Sequence, residues 1–297
     1  MINHSIFIQN SYIILKAKAY FELLKVKLTS LVIFSAGFGF VLSEKNEINI
    51  SKLIFTLLGG FLMTGAANIL NQVMEVELDK MMVRTSKRPL PEMRLSMSEA
   101  LAFCLILSVT GFMILISAVN VAAAYLTFVS VLLYAFLYTP MKRISSFSVL
   151  VGAFPGAMPP LIGWVANTGH ISTEALVIFA LQFIWQFPHF WAIAWMLDDD
   201  YKRAGFKMMP SSGGKDIRSA FQIAVYTFFL IPMGILPYMF KISGIYSAVV
   251  ISICGLWFFY KAIVLMNTLT VPDARRIMFA SIIYLPVVQI ALILDKV

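Results

Sequence analysis

Long, unbroken runs of apolar residues follow one another along the chain, separated by shorter polar segments. Each run is about as long as the roughly 20 residues that a helix needs to cross a bilayer. Apolar and polar positions do not alternate within the runs, as they would in the strands of a membrane β-barrel. The pattern predicts an all-α, polytopic membrane protein of about nine transmembrane helices, at residues 28–43, 52–73, 99–118, 120–139, 146–166, 174–196, 218–240, 243–264 and 276–294.

The first apolar run begins only after a polar, lysine-containing segment. Residues 1–27 carry Lys16, Lys18, Lys25 and Lys27 among apolar side chains, which is typical of a helix lying on the membrane surface. We therefore expect residues 1–27 to form an N-terminal interfacial segment and residues 28–297 to form a single transmembrane domain.

Composition excludes several classes of protein. Of the 297 residues, 60% are hydrophobic and only 13% are charged, whereas a soluble domain usually carries about 25% charged residues. A soluble globular enzyme and a disordered chain are both excluded.

Basic residues are distributed unequally between the two sides of the predicted membrane. If the N-terminus is cytoplasmic, most of the 23 Lys and Arg residues lie in cytoplasmic segments, and the exceptions are Lys45, Lys52, Lys241 and Lys296. Cytoplasmic loops of membrane proteins are enriched in Lys and Arg. We therefore expect an inner-membrane protein with the N-terminus inside, the C-terminus outside and the active site facing the cytoplasm. The net charge of +8 then reflects orientation rather than nucleic-acid binding.

A first acidic cluster follows the second apolar run. Asn71, Glu75 and Asp79 are spaced i, i+4, i+8, so they share one face if the helix continues. Carboxylates at this spacing repel each other, and Mg²⁺, which binds one or two carboxylates together with substrate phosphates, would relieve the repulsion. The alternative is an acidic helix end neutralised by Lys80 and Arg84. The spacing and the sequence that follows favour the metal site.

Basic residues near this cluster are candidates for binding a diphosphate. Arg84, Lys87 and Arg88 follow it directly, and Lys142 ends the fourth predicted helix. Lysine and arginine bind phosphate oxygens well. The alternatives are a positive-inside anchor for the first group and a lysine that extends to the headgroups for Lys142. Lys202, beside the second acidic cluster, belongs to the same candidate set.

A second acidic cluster, Asp198, Asp199 and Asp200, follows the sixth predicted helix. Three aspartates at the C-terminal end of a helix repel one another and face the negative end of its dipole. A second Mg²⁺ would offset both effects. Adjacent helical residues do not share a face, so at most two of the three are expected to bind metal. The alternative is the solvated start of a loop, which remains plausible for Asp198.

Polar and aromatic residues within the helices indicate an internal cavity. Several predicted helices contain proline, and helices that are kinked together can enclose a cavity. The sixth helix is rich in aromatics, and His189 is the only histidine inside a predicted span. A lone buried histidine is usually structural, yet intramembrane polar groups are functional candidates. The candidate cavity residues are Tyr138, Trp185, Gln186 and His189.

Together these motifs resemble the UbiA superfamily of intramembrane prenyltransferases. The first acidic motif and the following Arg88-Pro-Leu-Pro carry the resemblance to the superfamily. Three further segments resemble its protohaem IX farnesyltransferase (haem O synthase) branch: Gly152 to Trp164, Trp185-Gln-Phe-Pro-His189-Phe-Trp, and Asp200 to Pro210. The resemblance covers about residues 20–290, although Glu75 stands where many members have aspartate.

The resemblance implies nine transmembrane helices around a central cavity and an active site of two acidic motifs that hold Mg²⁺. It implies metal binding by Asn71, Glu75, Asp79, Asp199 and Asp200, which are thus the catalytic candidates. It implies farnesyl diphosphate and haem B as substrates and haem O as product. A downstream haem A synthase or an oxidase assembly would be the partner that receives this product.

Two other functions compete with this interpretation. One is a quinone-type aromatic prenyltransferase, against which the haem-type segment around His189 argues. The other is a secondary transporter, which would place ionisable residues near the middle of the membrane. Here the acidic clusters lie at helix ends on one face, which favours the prenyltransferase.

Overall fold

Nine long helices build the part of the chain that the structure describes. The structure is a computed structural model that describes residues 14–297. Within that range, nine helices are long and apolar enough to cross a membrane, which confirms the predicted number. We label them α1 (Val26–Ser43), α2 (Ile50–Met74), α3 (Met97–Ala118), α4 (Val121–Ile144), α5 (Ser148–Thr168), α6 (Thr173–Met196), α7 (Ile217–Met239), α8 (Ile245–Thr268) and α9 (Val271–Leu294).

Most helix ends lie within two residues of the predicted positions, and three differ by more. Helix α4 extends to Ile144, α8 extends to Thr268 and α9 already begins at Val271. In each case polar residues belong to a helical turn beyond the apolar run. Hydropathy marks the part of a helix that fits the bilayer, whereas the backbone hydrogen bonds continue past it.

The helices surround a central cavity. Helices α1, α2, α4, α5, α6 and α9 all contribute residues to its wall. Helix α3 packs on the outside of α2, while α7 packs against α6 and α8 against α9. The cavity is thus enclosed by one set of helices and supported by a second.

Helices α1 and α5 approach each other more closely than ordinary side chains permit. A Cβ atom added to Gly39 would overlap the carbonyl oxygen of Pro160, and one added to Gly163 would overlap that of Ala36. Small residues at such crossings are characteristic of membrane helix packing. The two glycines therefore set the distance between two walls of the cavity.

Helix α4 contains a π-helical segment, Leu133–Tyr138, followed by an α-helical turn at Thr139–Ile144. Two residues of this π-helical segment, Tyr134 and Tyr138, line the cavity. The helix continues through Pro140 because a proline at the start of the following turn needs no backbone donor. This extension carries Lys142 to the end of α4, beside the first acidic cluster.

Two short helices extend the ends of α2 and α6, at Val76–Met81 and Asp198–Arg203. The loops that follow them meet. The backbone N–H groups of Val83 and Arg84 donate to the Asp200 carboxylate over 3.4 Å each, and the N–H of Lys207 donates to the Lys142 carbonyl over 2.6 Å. The two loops therefore form one surface at this end of the bundle.

The described part of the N-terminal segment is helical over residues 14–23. Ala19 and Leu23 are fully buried against residues of α2 and α3, and the Leu23 carbonyl accepts a hydrogen bond from Gln72 over 2.8 Å. Residues 1–13 of the predicted interfacial segment lie outside the described residues. The membrane-surface location of the segment remains a prediction.

Candidate active site

The first acidic cluster lies at the end of α2. Asn71 belongs to α2, Glu75 to the junction with the short helix, and Asp79 to that short helix. The N–H of Glu75 donates to the Asn71 carbonyl over 3.0 Å, and that of Asp79 to the Glu75 carbonyl over 2.7 Å. These bonds preserve the helical spacing across the junction. All three side chains are buried, Asp79 completely.

Each buried carboxylate has a basic partner. Arg88 Nη1 lies 2.6 Å from Asp79 Oδ2, and Lys142 Nζ lies 2.6 Å from Glu75 Oε1. Both pairs are largely shielded from solvent, where an unpaired charge would be costly. The alternative to a metal site, neutralisation by Lys80 and Arg84, is not what the structure shows, because Lys80 pairs with the exposed Glu77 over 2.7 Å and Arg84 is exposed.

The Asn71 amide connects these pairs to two further residues. Its Nδ2 donates to Glu75 Oε2 over 2.9 Å and to Thr139 Oγ1 over 3.2 Å. Its Oδ1 accepts from Lys25 Nζ over 3.3 Å. The amide therefore holds the Glu75 carboxylate from one side while Lys142 holds it from the other.

Lys25 contacts this cluster, although the sequence indicated it only as a basic residue of the N-terminal interfacial segment on the cytoplasmic side. Lys25 adopts a left-handed conformation, with φ of 48°, at the turn before α1. Burial first, and then the positive charges of Arg88 and Lys142, together lower the pKa of Lys25 to about 7. No sequence pattern connects Lys25 to a cluster that begins 46 residues later.

The donor set fits a divalent cation. Asp79 Oδ1 is buried and has no hydrogen-bond partner, and an unsatisfied buried carboxylate oxygen is costly. Residues 14–297 contain no group of three or more His, Cys, Asp or Glu side chains arranged to hold a metal. Two carboxylates and an amide oxygen nonetheless suit Mg²⁺, which keeps several waters and takes its remaining ligands from substrate phosphates.

The three aspartates of the second cluster have different environments. Asp198 is buried and pairs with Lys202 over 2.7 Å. Asp199 has a side chain that is 82% exposed, with Lys215 Nζ at 3.6 Å. Asp200 pairs with Arg203 and accepts the two backbone N–H groups described above. Of the two predicted ligands, only Asp200 contacts the loop that follows the first cluster.

The three aspartates were predicted to face the negative end of a helix dipole, but they lie at the positive end of one. Helix α6 ends at Met196, and all three aspartates lie in the first turn of the short helix Asp198–Arg203. Carboxylates at the start of a helix are stabilised by its dipole. This favourable position, together with Lys202 and Arg203, relieves part of the repulsion that had favoured a second metal ion.

The predicted diphosphate-binding residues fall into two groups. Arg88 and Lys142 reach the first cluster directly. Arg84 and Lys87 are exposed on the loop after it, and the Lys202 side chain is 65% exposed beside Asp198. The structure therefore brings two of the five predicted basic residues, together with Lys25, to the first acidic cluster.

The cavity begins beside this polar cluster. Its volume is about 490 Å³, and its wall includes the four predicted residues, Tyr138, Trp185, Gln186 and His189. Lys142 Nζ lies 4.9 Å from the centre of the Tyr138 ring, so Tyr138 touches both the charged cluster and the cavity. This volume lies within the range of about 300–1,000 Å³ that is typical of pockets for small organic molecules. An apolar chamber thus adjoins a site of buried, paired charges.

Comparison with known proteins identifies the family. A model of the UbiA prenyltransferase family matches residues 31–283. The chain belongs to this family. It is therefore a prenyltransferase and a multi-pass membrane protein, as the motifs and the nine helices indicated.

Several relatives are similar over nearly the whole chain. The protoheme IX farnesyltransferase of Cytophaga hutchinsonii is 46% identical over 94% of this chain and 98% of its own length. That of Flavobacterium psychrophilum is 41% identical over 93% of both chains. The mitochondrial protoheme IX farnesyltransferase of Arabidopsis thaliana is 35% identical over 95% of this chain and 65% of its own.

Solved structures show the same fold. A digeranylgeranylglyceryl phosphate synthase has a TM-score of 0.78 at 22% identity, covering 94% of this chain and 98% of its own. A UbiA homologue from Archaeoglobus fulgidus bound to GPP and Mg²⁺ has a TM-score of 0.66 at 12% identity, covering 92% of this chain and 99% of its own.

Proposed function

We propose that this protein transfers a farnesyl group from farnesyl diphosphate to a vinyl group of haem B, with addition of water, to give haem O. The observation that carries the proposal is a site of two buried carboxylates and three basic side chains that adjoins an apolar cavity. This arrangement suits a substrate with an anionic head and an apolar tail. The relatives named protoheme IX farnesyltransferase support haem as the acceptor.

In this proposal Mg²⁺ binds to Asn71, Glu75 and Asp79. The unpartnered Asp79 oxygen supports this assignment, as does the Archaeoglobus homologue with bound Mg²⁺. Asp199 and Asp200 remain the predicted ligands of a second ion, and the contacts of Asp200 with the first loop favour it over the exposed Asp199. When bound, Mg²⁺ neutralises negative charge that develops on the leaving diphosphate.

The basic residues assist departure of the diphosphate. Arg88 and Lys142 pair with carboxylates without substrate, and each has donors that can bind phosphate oxygens. The C1–O bond of farnesyl diphosphate breaks, and the electron pair leaves with the diphosphate. Preorganised cations that favour this charge lower the barrier to its departure.

The cavity controls what reacts with the farnesyl cation. The aromatic rings of Tyr138, Trp185 and Phe190 line it, and ring faces stabilise cations. Exclusion of water protects the first cation. The vinyl π electrons form the new C–C bond. The resulting cation on the haem side chain takes the oxygen of water, which releases one proton.

We further propose that the protein lies in the cell inner membrane with the site facing the cytoplasm. The two joined loops carry most of the charged residues near the site, and the positive-inside rule places them inside. An enzyme that uses haem O, such as a haem A synthase, or an oxidase assembly, would receive the product.

Mass spectrometry of extracted haem tests the proposed reaction. The purified protein in detergent is incubated with haem B, farnesyl diphosphate and Mg²⁺. We expect a product heavier than haem B by one farnesyl group and one hydroxyl group. The product should be absent with a chelator and reduced by at least about 100-fold in Asp79→Asn, comparable to loss of a principal electrostatic group.

Glu77→Gln is the matched control, because Glu77 is a carboxylate of the same short segment whose side chain is 76% exposed. It should retain wild-type activity. A farnesylated haem without the added water would contradict the hydration step. Prenylation of an aromatic acceptor in place of haem would favour the quinone-type alternative.

A further inference from the structure

We infer that His189 binds the haem iron through its Nε2 atom and thereby positions the acceptor in the cavity. The inference rests on the proposed function, because it takes haem as the substrate. Nothing in that function requires the iron to have a protein ligand. The inference follows from how the structure orients the imidazole of His189.

The hydrogen bonds around Ser281 determine the tautomer of His189. The Ser281 hydroxyl donates to the Met278 carbonyl over 2.6 Å. A hydroxyl has a single proton, and with that proton on the Met278 carbonyl Ser281 Oγ accepts at its 2.7 Å contact with His189 Nδ1. In this hydrogen-bonding arrangement, Nδ1 carries the proton of the neutral ring. The lone pair is on Nε2, the arrangement found in histidines that bind metals.

The imidazole is also held in position by a neighbouring ring. Trp185 stacks on His189, with ring centres 4.6 Å apart and planes inclined by 15°. The indole Nε1 of Trp185 donates to the carbonyl of Ser281 over 3.0 Å. One residue of α9, Ser281, thus fixes both rings of α6. This leaves the imidazole little freedom to rotate, which a ligand that orients a substrate requires.

Nε2 is available to a ligand in the cavity. His189 lies on the cavity wall, and Nε2 has no hydrogen-bond partner among residues 14–297. His189 also supplies the only imidazole on this wall within the same residues. Neutral imidazole is a common axial ligand of haem iron.

The position of His189 suits an acceptor that must meet the farnesyl cation. Phe190 lies between His189 and Tyr138, with ring centres 5.9 Å from the first and 6.1 Å from the second. Tyr138 in turn contacts Lys142 of the charged cluster. A haem bound to His189 therefore lies in the same chamber as the predicted site of diphosphate departure, two aromatic rings away along the wall.

Haem-binding spectroscopy tests the inference separately from transfer. The full chain, purified without a polyhistidine tag, is titrated with ferric haem B in the absence of farnesyl diphosphate. Optical absorption and electron paramagnetic resonance report the axial ligand. We expect an imidazole-ligated spectrum from the wild-type protein. His189→Ala and His189→Gln should lose it, and both should bind haem more weakly by at least about 10-fold.

Two further variants make the result specific. His170→Ala removes an exposed histidine, whose ring Nδ1 lies 3.1 Å from the Thr168 carbonyl, and should leave the spectrum unchanged. Ser281→Ala should keep the imidazole spectrum but weaken haem binding by about 10- to 100-fold, since it removes the group that orients the ligand. Thermal melting of each variant reports whether it is folded.

An imidazole spectrum that persists in folded His189→Ala or His189→Gln protein would overturn the inference. A wild-type protein that shows no imidazole ligand, or binds no haem, would overturn it as well. The proposed function has its own readout. Farnesyl transfer with no imidazole signature leaves the function intact, whereas a His189-dependent spectrum without any transfer supports the ligand and contradicts the function.

Discussion

At the scale of single residues, the site is a set of buried charges that balance one another. Glu75 and Asp79 face Lys142 and Arg88, and Lys25 donates to the Asn71 amide beside them. Removal of one partner from a buried ion pair destabilises a protein, because the remaining charge is buried without a counterion. The site is therefore stable without substrate, and an arriving diphosphate finds cations already in position.

Lys25 provides a test of this arrangement. We expect Lys25→Met to weaken binding of farnesyl diphosphate by about 10- to 100-fold, because a hydrogen bond to a charged group contributes about 1.5–3 kcal/mol. Equilibrium binding of a non-hydrolysable farnesyl diphosphate analogue measures the effect.

Lys27→Met is the matched control, since Lys27 is exposed two positions along the chain. It should bind the analogue as the wild type does. Lys25→Arg, which keeps the charge, should recover most of the affinity. If Lys25→Met and Lys27→Met bound the farnesyl diphosphate analogue with equal affinity, Lys25 would only hold the N-terminal segment against Asn71.

At the scale of elements, helix junctions rather than helix interiors build the site. Polar side chains of the two acidic clusters and the cavity lie at three irregular points: the junction at Glu75 after α2, the π-helical segment of α4, and the junction at Leu197 after α6. π-Helical turns occur frequently at functional sites. The apolar interiors of α1 and α5 set the width of the cavity instead.

Gly163 tests the role of the close contact between α1 and α5. We expect Gly163→Ala to destabilise the protein by about 1–3 kcal/mol, the usual cost of overpacking, because its Cβ would meet the backbone of Ala36. Thermal melting in detergent measures the loss. Farnesyl transfer should fall as well, since both helices line the cavity.

Gly37→Ala is the control on α1, because its Cβ would face α2 instead of α5 and would meet only the side chain of Leu57, at 3.2 Å. A flexible side chain can move by this amount, so the melting temperature should change little. Wild-type stability of Gly163→Ala would show that α1 and α5 separate without cost.

At the scale of the whole molecule, the charged loops gather at one end of the bundle. The loops after α2 and α6 contact each other there, and the loop after α6 also contacts the end of α4. If each of the nine helices found among residues 14–297 crosses the membrane, we expect the N- and C-terminal ends on opposite sides. The orientation relative to the cytoplasm remains a prediction from the distribution of lysine and arginine.

Reporter fusions check this orientation. Alkaline phosphatase, active only outside the cytoplasm, should be active when fused after Val297 and inactive when fused after Ser145. Green fluorescent protein at the same two positions should show the opposite pattern. Activity of the Ser145 phosphatase fusion would invert the predicted topology and would place the active site on the outer face.

Sequence alone determined the membrane class, the number of helices and the residues of the first acidic cluster. These features depend on local quantities: the length of an apolar run, and the i+4 spacing that places Asn71, Glu75 and Asp79 together. The combination of the first acidic motif with the Trp185 to Trp191 segment likewise indicated the family before any contact was known. Each of these signals lies within one stretch of chain.

Only the tertiary structure decided which distant groups meet. It brought Lys25 to Asn71, joined Asp200 to the loop after Asp79, and exposed Asp199 while burying Asp198. It also showed that Ser281 of α9 fixes the ring of His189 on α6. Hydropathy and spacing describe one helix at a time, whereas these contacts depend on how the helices are packed and rotated against one another.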